Sequence, residues 1–176
     1  RACRADGTGV AMGTFDGRVG FVTGGGTGIG LACARAIVAG GGRVMLAGRR
    51  EEVVRAAAAE LGAAAAGVAC DVTDDTSVDA AVAATVARFG GLHLAVNAAG
   101  TGTVGSVLNS TSAEFGRILD TNLTGVFRSI RAEAKALRAG GGSIVNVSSI
   151  AAALTHRWMT AYCASKAGLN MLPACA

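Results

Sequence analysis

The chain has 176 residues, one domain's worth of sequence. Hydrophobic residues make up 51% and charged residues 16%, with 38 alanines, 27 glycines and a single proline. That balance excludes a disordered chain, and glycine without a three-residue period excludes collagen. The net charge of +4 is not gathered into a Lys/Arg cluster interleaved with aromatics, so nucleic acid is not an expected partner. No apolar run reaches the roughly 18 residues of a membrane span, so a membrane is not expected either. Cys3, Cys33, Cys70, Cys163 and Cys175 are odd in number and scattered, which argues against a disulfide scaffold and for a reducing, cytoplasmic setting. Residues 1–12 lack the apolar core of a secretion signal and read as an extraneous or disordered segment, with Met12 a candidate start and 13–176 the domain.

Short strand-like runs alternate with longer helix-like runs. The pattern predicts strands over Val19–Thr23, 43–47, 67–70, 92–97 and 143–147. It predicts helices over Gly28–Ala39, Glu51–Leu61, 76–89, a broken pair over 112–121 and 122–138, and 160–172. In 76–89, Val78, Val82, Val86 and Phe89 form one apolar stripe. Each strand is a near-continuous apolar run, as expected when both faces are covered. The expected fold is therefore α/β: a doubly wound, Rossmann-like parallel sheet in three α/β/α layers.

Thr23-Gly24-Gly25-Gly26-Thr27-Gly28-Ile29-Gly30 lies between the first strand and its helix. Glycines at 24, 28 and 30 allow a tight turn and close approach of a pyrophosphate to the positive end of the helix. The competing reading is a glycine-rich turn without a ligand. At the end of the second strand, where an acidic residue usually holds a free ribose 2′-hydroxyl, stand Gly48, Arg49 and Arg50. Two guanidinium groups suit a 2′-phosphate, which favours NADP(H) over NAD(H); otherwise both are solvated residues near a helix start. Asp71, followed by Val72, accepts a hydrogen bond from an adenine amino group or simply caps the loop. Asn97, Ala98, Ala99 and Gly100 keep the end of the fourth strand small where the cofactor is expected to pass.

Tyr162 and Lys166 are four residues apart, so on a helix they share a face, with Cβ atoms about 5–6 Å apart. An ammonium beside a phenol favours the phenolate and makes it a usable acid/base. Tyr-x-x-x-Lys alone is a common accident and more often a surface pair.

Together, residues 23–30, 97–100, Asn122, Asn146-Val147-Ser148-Ser149 and 162–166 resemble, in order, the short-chain dehydrogenase/reductase family. The resemblance runs from about Arg18 to Leu172. It implies that Tyr162 is the catalytic acid/base and that Lys166 binds the nicotinamide ribose and assists the tyrosine. Because the family's serine stands thirteen residues before its tyrosine, the resemblance implies that Ser149 bonds the substrate oxygen and Ser148 supports the strand end. Asn122 matches the asparagine that kinks the long helix and holds a water for proton relay. No metal is expected, and the scattered His93, His156 and cysteines have no metal-ligand spacing.

The implied activity is hydride transfer between NADPH and a carbonyl or secondary alcohol, with ketones and 3-oxoacyl thioesters as candidate substrates. The alternative is a catalytically inactive dinucleotide-binding fragment or sensor module. The glycine spacing disfavours a sugar-nucleotide epimerase relative. Residues 151–160, with Leu154, His156, Trp158 and Met159, are expected to border an apolar pocket; the competing reading has Trp158 packing on a partner subunit. A homodimer or homotetramer is implied through 122–138 and 160–172, where Leu123, Val126, Phe127 and Ile130 give one apolar side, although packing on the chain's own sheet accounts for some of them. The family pattern continues past Ala176 with a sixth strand, a Pro-Gly turn, a substrate lid and a last strand. The expectation is thus an incomplete sheet, a helix ended by Pro173, and a chain poorly soluble or inactive alone.

Overall fold

A computed structural model describes residues 13–137 and 141–172. The expectation for 1–12, the end of the long helix at Arg138 and the stop at Pro173 lie outside the described residues. The elements are β1 (Val19–Thr23), α1 (Gly28–Ala39), β2 (Arg43–Gly48), α2 (Glu51–Leu61), β3 (Ala65–Ala69), α3 (Asp75–Phe89) and β4 (Leu94–Asn97). There follow α4 (Ser112–Leu119), a π turn (Asp120–Thr124), α5 (Gly125–Leu137), β5 (Ser143–Asn146), a 3-10 turn (Ile150–Ala152) and α6 (Thr160–Met171).

The five strands are parallel, in the order β3-β2-β1-β4-β5. β1 is buried along its whole length, so its side chains feed two cores. Val19 and Phe21, with Met45 and Ala47, pack under Val78 and Val82 of α3 and Ala132 and Leu137 of α5. Val22, with Val44 and Leu46, packs on the other face against Ala34 and Ile37 of α1 and Val54 and Ala58 of α2. This is the expected three-layer, Rossmann-like arrangement. The chain winds outward from β1 to β3, then returns to place β4 on the other side of β1. A doubly wound sheet binds ligands at that switch point, outside the carboxyl ends of its strands. The register brings Ala47, Thr23, Asn97 and Asn146 into one row along that edge.

Several expected boundaries move. β3 begins at Ala65 because Ala65 and Ala66 pair with Val44 and Met45, although alanine carries little strand signal. Cys70 lies just past the strand, buried. β4 begins at Leu94: the ring of His93 accepts a hydrogen bond from the Val19 N–H at 3.1 Å, and Leu92 fills the core from the preceding loop. α3 starts one residue early because the Asp74 carboxylate caps it, accepting from the Thr76 N–H at 2.8 Å. The buried side of α3 is Val78, Ala81, Val82, Thr85 and Phe89, while Val86, expected in the stripe, is 36% exposed. A 3.6-residue period carries the fourfold step from Val82 off the core line.

Candidate active site

At the switch point the turn after β1 opens α1. Gly24 has φ +65°, and a Cβ there would stand 2.8 Å from the Ala99 nitrogen, so the 97–100 segment seats directly on this turn. Gly28 has φ +55°, with no other group within 4 Å of where a Cβ would project. Thr27 makes no side-chain cap to α1, and the first turn holds no acidic residue. By contrast, Asp74 caps α3 and Thr111 caps α4. The positive end of α1 thus has no anion of its own. It faces a cleft of about 370 Å³ lined by Gly24, Gly26, Thr27, Arg49, Arg50, Asp71, Val72, Ala99, Gly100 and Thr121, among others. An open cleft, a helix terminus without a side-chain cap and a turn that is glycine at 24–26 fit a dinucleotide.

Arg49 and Arg50 are exposed at this cleft. Asp71 accepts from both the backbone N–H and the hydroxyl of Thr73, at 2.9 and 2.8 Å, so its loop-capping role is present. The Thr73 backbone bond is the main cause holding its carboxyl below the usual range, with Arg49 and Arg128 adding to it. Cys70, also on the wall, has its thiol pushed up to about 12 by burial and by neighbouring carboxylates.

Not every residue of the glycine and asparagine motifs lines the cleft. Thr23 and Asn97 lie beneath it, 2% and 1% exposed, bonded to each other through Thr23 Oγ1 and Asn97 Oδ1 at 3.3 Å. Ala98, Gly28, Ile29 and Gly30 are outside its lining, and so are Ser149, Tyr162 and Lys166.

A short bridge joins the cleft to those last residues. Ala99 and Gly100 line the cleft, the Thr101 backbone is held by Asn122, and Gly102 lies against the Tyr162 ring, 3.5 Å from a Gly102 Cβ position to Cδ2. Asn122, fully buried in the π turn, also donates to Ser165 Oγ at 3.1 Å. Ser165 in turn donates to the Tyr162 carbonyl at 2.7 Å, so one asparagine ties the cofactor-side loop to α6. Its side chain is committed to Thr101 and Ser165.

Tyr162 and Lys166 share one face of α6, with Nζ 5.8 Å from the ring centroid. Lys166 is 6% exposed and donates to the Val147 carbonyl at 2.7 Å; burial lowers its pKa. Ser149 Oγ accepts from the Ala151 N–H at 3.2 Å, which leaves its own O–H to donate. Ser148 Oγ is buried with no hydrogen-bond partner among the described residues, so its hydroxyl does not brace the strand end as expected.

Beside this centre, Val107, Phe115 and Trp158, with Ser110, Ser112 and Glu114 among polar neighbours, wall an open cavity of about 250 Å³ that Thr160 and Ala161 of α6 also line. Trp158 is 62% exposed and has φ 63°, a left-handed backbone that an aromatic residue rarely adopts. The Trp158 carbonyl accepts from the Gly105 N–H at 2.8 Å. His156 is an exposed loop residue. Among the described residues no group of His, Cys, Asp or Glu side chains is arranged to hold a metal ion.

The short chain dehydrogenase family model matches residues 18–176. The chain belongs to the short-chain dehydrogenase family. It is 46% identical over 139 residues to a 3-alpha-(or 20-beta)-hydroxysteroid dehydrogenase of Mycobacterium tuberculosis, covering 78% of this chain and 54% of that one. It is 41% identical over 170 residues to a hexahydroindene-carboxyl-CoA reductase of the same species, covering 93% and 65%. A short chain dehydrogenase from Mycobacterium smegmatis, of known crystal structure, superposes with a TM-score of 0.90 at 34% identity, over 94% of this chain and 71% of that one. The chain spans little more than half the length of the hydroxysteroid dehydrogenase it matches. Within the family its fold is thus the ordinary one, and no helix among the described residues is long and apolar enough to cross a membrane.

Glu133 and Thr101 take part in this architecture from outside every motif, and Ser165 takes part from within the 162–166 motif in a role the motif does not name. Glu133 had a signal: Val126, Ser129, Glu133 and Leu137 follow the spacing of one buried helical face.

Proposed function

We propose that this short-chain dehydrogenase is an NADP(H)-linked oxidoreductase interconverting a carbonyl and a secondary alcohol. The observation that carries the reading is the Tyr162–Lys166 pair on one face of α6, its ammonium braced by the Val147 carbonyl and its phenol joined to the glycine cleft through 99–102. When bound, the nicotinamide supplies or accepts the hydride. The N-terminus of α1 and the turn at 24–28 hold the pyrophosphate, Arg49 and Arg50 a 2′-phosphate, and Asp71 and Val72 border the adenine. Ser149 donates to the substrate oxygen, and Tyr162 gives it a proton in reduction or takes one in oxidation. Lys166 steadies the phenolate charge, and Asn122 keeps the loop and α6 in register for that transfer.

Relatives named for a steroid and a bicyclic CoA thioester, together with the Trp158–Phe115–Val107 cavity, favour an alicyclic ketone or 3-oxoacyl thioester as substrate. A homo-oligomer is proposed through the groove of Leu123, Phe127, Gly168 and Met171. Val126 is not part of that surface, being 4% exposed in the chain's own core. Three unpaired cysteines, Cys33, Cys70 and Cys163, suit a cytoplasmic location.

The test separates binding from turnover. NADPH fluorescence is followed on mixing with the chain, and NADPH oxidation is followed over a panel of cyclic ketones and 3-oxoacyl thioesters. Tyr162→Phe is expected to abolish turnover and keep binding. Binding without turnover in the unaltered chain would favour an inactive dinucleotide module instead.

A further inference from the structure

Beneath the cleft lies a buried polar cluster that the proposed chemistry does not use. Glu133 on α5 is fully buried, and its Oε2 accepts from Asn97 Nδ2 at 3.0 Å. The same nitrogen donates to Asn146 Oδ1 at 3.0 Å, and Asn97 Oδ1 accepts from Thr23 Oγ1, which itself accepts from the Ala99 N–H at 3.3 Å. One carboxyl on a helix therefore sits behind the carboxyl ends of β1, β4 and β5. From those ends depart the glycine turn, the 97–100 segment that lines the cleft, and the Val147 carbonyl that braces Lys166. Glu133 Oε1 has no hydrogen-bond partner among the described residues, so neither charge state of the carboxyl is fully satisfied.

We propose that Glu133 is a positioning residue that clamps Asn97 and couples its own protonation to dinucleotide binding. The coupling rests on the proposed function, since it needs a polyanionic ligand in the cleft. Ala99, on the cleft wall, is joined to the buried Glu133 carboxyl through Thr23 and Asn97. A dinucleotide's negative charge therefore favours the neutral carboxyl, and by linkage affinity falls as Glu133 ionises. Burial raises this carboxyl to about 7, opposed only in part by the Asn97 bond, which places the transition near neutrality.

The neighbours do not obscure it. β1, β4 and β5 present Thr23, Asn97 and Asn146, which do not titrate. From the 70–75 segment come Cys70, raised to about 12, the low Asp71 and the capping Asp74. Asp75 and Asp120 pair with Arg128, and Asp75 also with Arg131. α3 faces α5 with Val78, Ala81, Val82 and Thr85. His93 stands at the opposite end of β4.

The test is the pH dependence of NADH affinity by fluorescence in the chain, in Glu133→Gln and in Glu133→Leu. NADH is the probe because a 2′-phosphate would itself titrate near neutrality. The wild-type dissociation constant is expected to rise about fourfold between about pH 6 and about pH 8. Glu133→Gln, which keeps the acceptor without the charge, is expected to bind like the wild type at low pH and to lose that rise. Glu133→Leu, without the clamp, is expected to bind about tenfold more weakly throughout. Equal pH slopes in wild type and Glu133→Gln would overturn the coupling, and wild-type affinity in Glu133→Leu would overturn the clamp. Should Glu133→Gln not fold, infrared spectroscopy of the wild type replaces it: a protonated-carboxyl band must fade through neutrality and be restored by NADH, and a band indifferent to NADH overturns the proposal. Absence of NADH and NADPH binding in every protein would overturn the proposed function itself, while the carboxyl band of the free chain would still titrate.

Discussion

Asn122 pairs with the main chain of Thr101 much as one strand pairs with another, accepting from its N–H and donating to its carbonyl, both at 2.8 Å. With the further bond to Ser165, both N–H donors and one of the two oxygen lone pairs of a fully buried amide are used. The π turn that carries Asn122 is what turns the side chain toward the loop and α6 together. A regular helix through 120–124 would change its facing by part of a turn.

Asn122→Ala is therefore expected to cost about 2 kcal/mol, because it leaves the Thr101 N–H and carbonyl unpaired in a half-buried place. Urea denaturation measures this. Ser165→Ala, which leaves the two Thr101 bonds intact, is expected to cost about 1 kcal/mol. Equal costs for the two would show that the loop is held by something other than Asn122.

Lys166→Met separates function from stability. The ammonium is buried and its charged form is penalised by burial, yet it keeps one bond, to the Val147 carbonyl. Replacing it with an apolar chain of similar length removes both the penalty and the bond, so stability is expected to change by less than about 1 kcal/mol. Turnover is expected to fall about a hundredfold or more. A thermal melt and steady-state kinetics on the same preparation check both halves.

Much of this was legible before any coordinates. β1 and β2 read as buried strands because their apolar runs are dense, and the kink at Asn122 follows from the family resemblance. β3 was misplaced at its start because alanine runs look alike in strand and helix, and only pairing with Val44 and Met45 decides. The Glu133 cluster was invisible because residues 23, 97, 133 and 146 meet only through strand register. The left-handed Trp158 could not be read either, since nothing in the local sequence marks it and its carbonyl partner, Gly105, is far along the chain.

Arg49→Ala with Arg50→Ala tests the cofactor preference. Both guanidinium groups are exposed, so solvent screening limits what each contributes. The double variant is expected to raise the KM for NADPH about tenfold and that for NADH less than about twofold. Equal changes would assign the arginines to the solvated surface.

Gly24 and Gly28 both have left-handed backbones but differ in their surroundings. A methyl group at 24 meets the Ala98 carbonyl at 2.9 Å and the Ala99 nitrogen at 2.8 Å, whereas one at 28 meets nothing within 4 Å. Gly24→Ala is expected to cost on the order of 3 kcal/mol, since strain adds to a backbone clash that no side-chain rotation relieves. Gly28→Ala is expected to cost only about 1 kcal/mol, the left-handed penalty alone. Under the proposed function, in which the 24–28 turn holds the pyrophosphate, it is also expected to weaken NADPH binding more than its stability cost implies. Denaturation and fluorescence titration of both variants distinguish the two effects.

Glu133 also makes stability depend on pH without any ligand. Its carboxyl is raised from 4.5 to about 7 in the folded chain, so between those values the native state binds more protons than the unfolded one. The contribution is fully present below the unfolded value and is lost as pH rises through the folded one. Over that window the loss is roughly 3 kcal/mol, taking about 1.4 kcal/mol per pH unit. Urea denaturation at about pH 5 and about pH 8 is expected to show a large part of it. Glu133→Gln cannot ionise, so it is expected to be less sensitive to pH by that amount and to be the more stable protein at the alkaline end. At the acid end the two are expected to converge, because a neutral carboxyl and an amide present the same acceptor to Asn97. A wild type whose stability runs parallel to that of Glu133→Gln across the window would mean that the carboxyl keeps one charge state throughout.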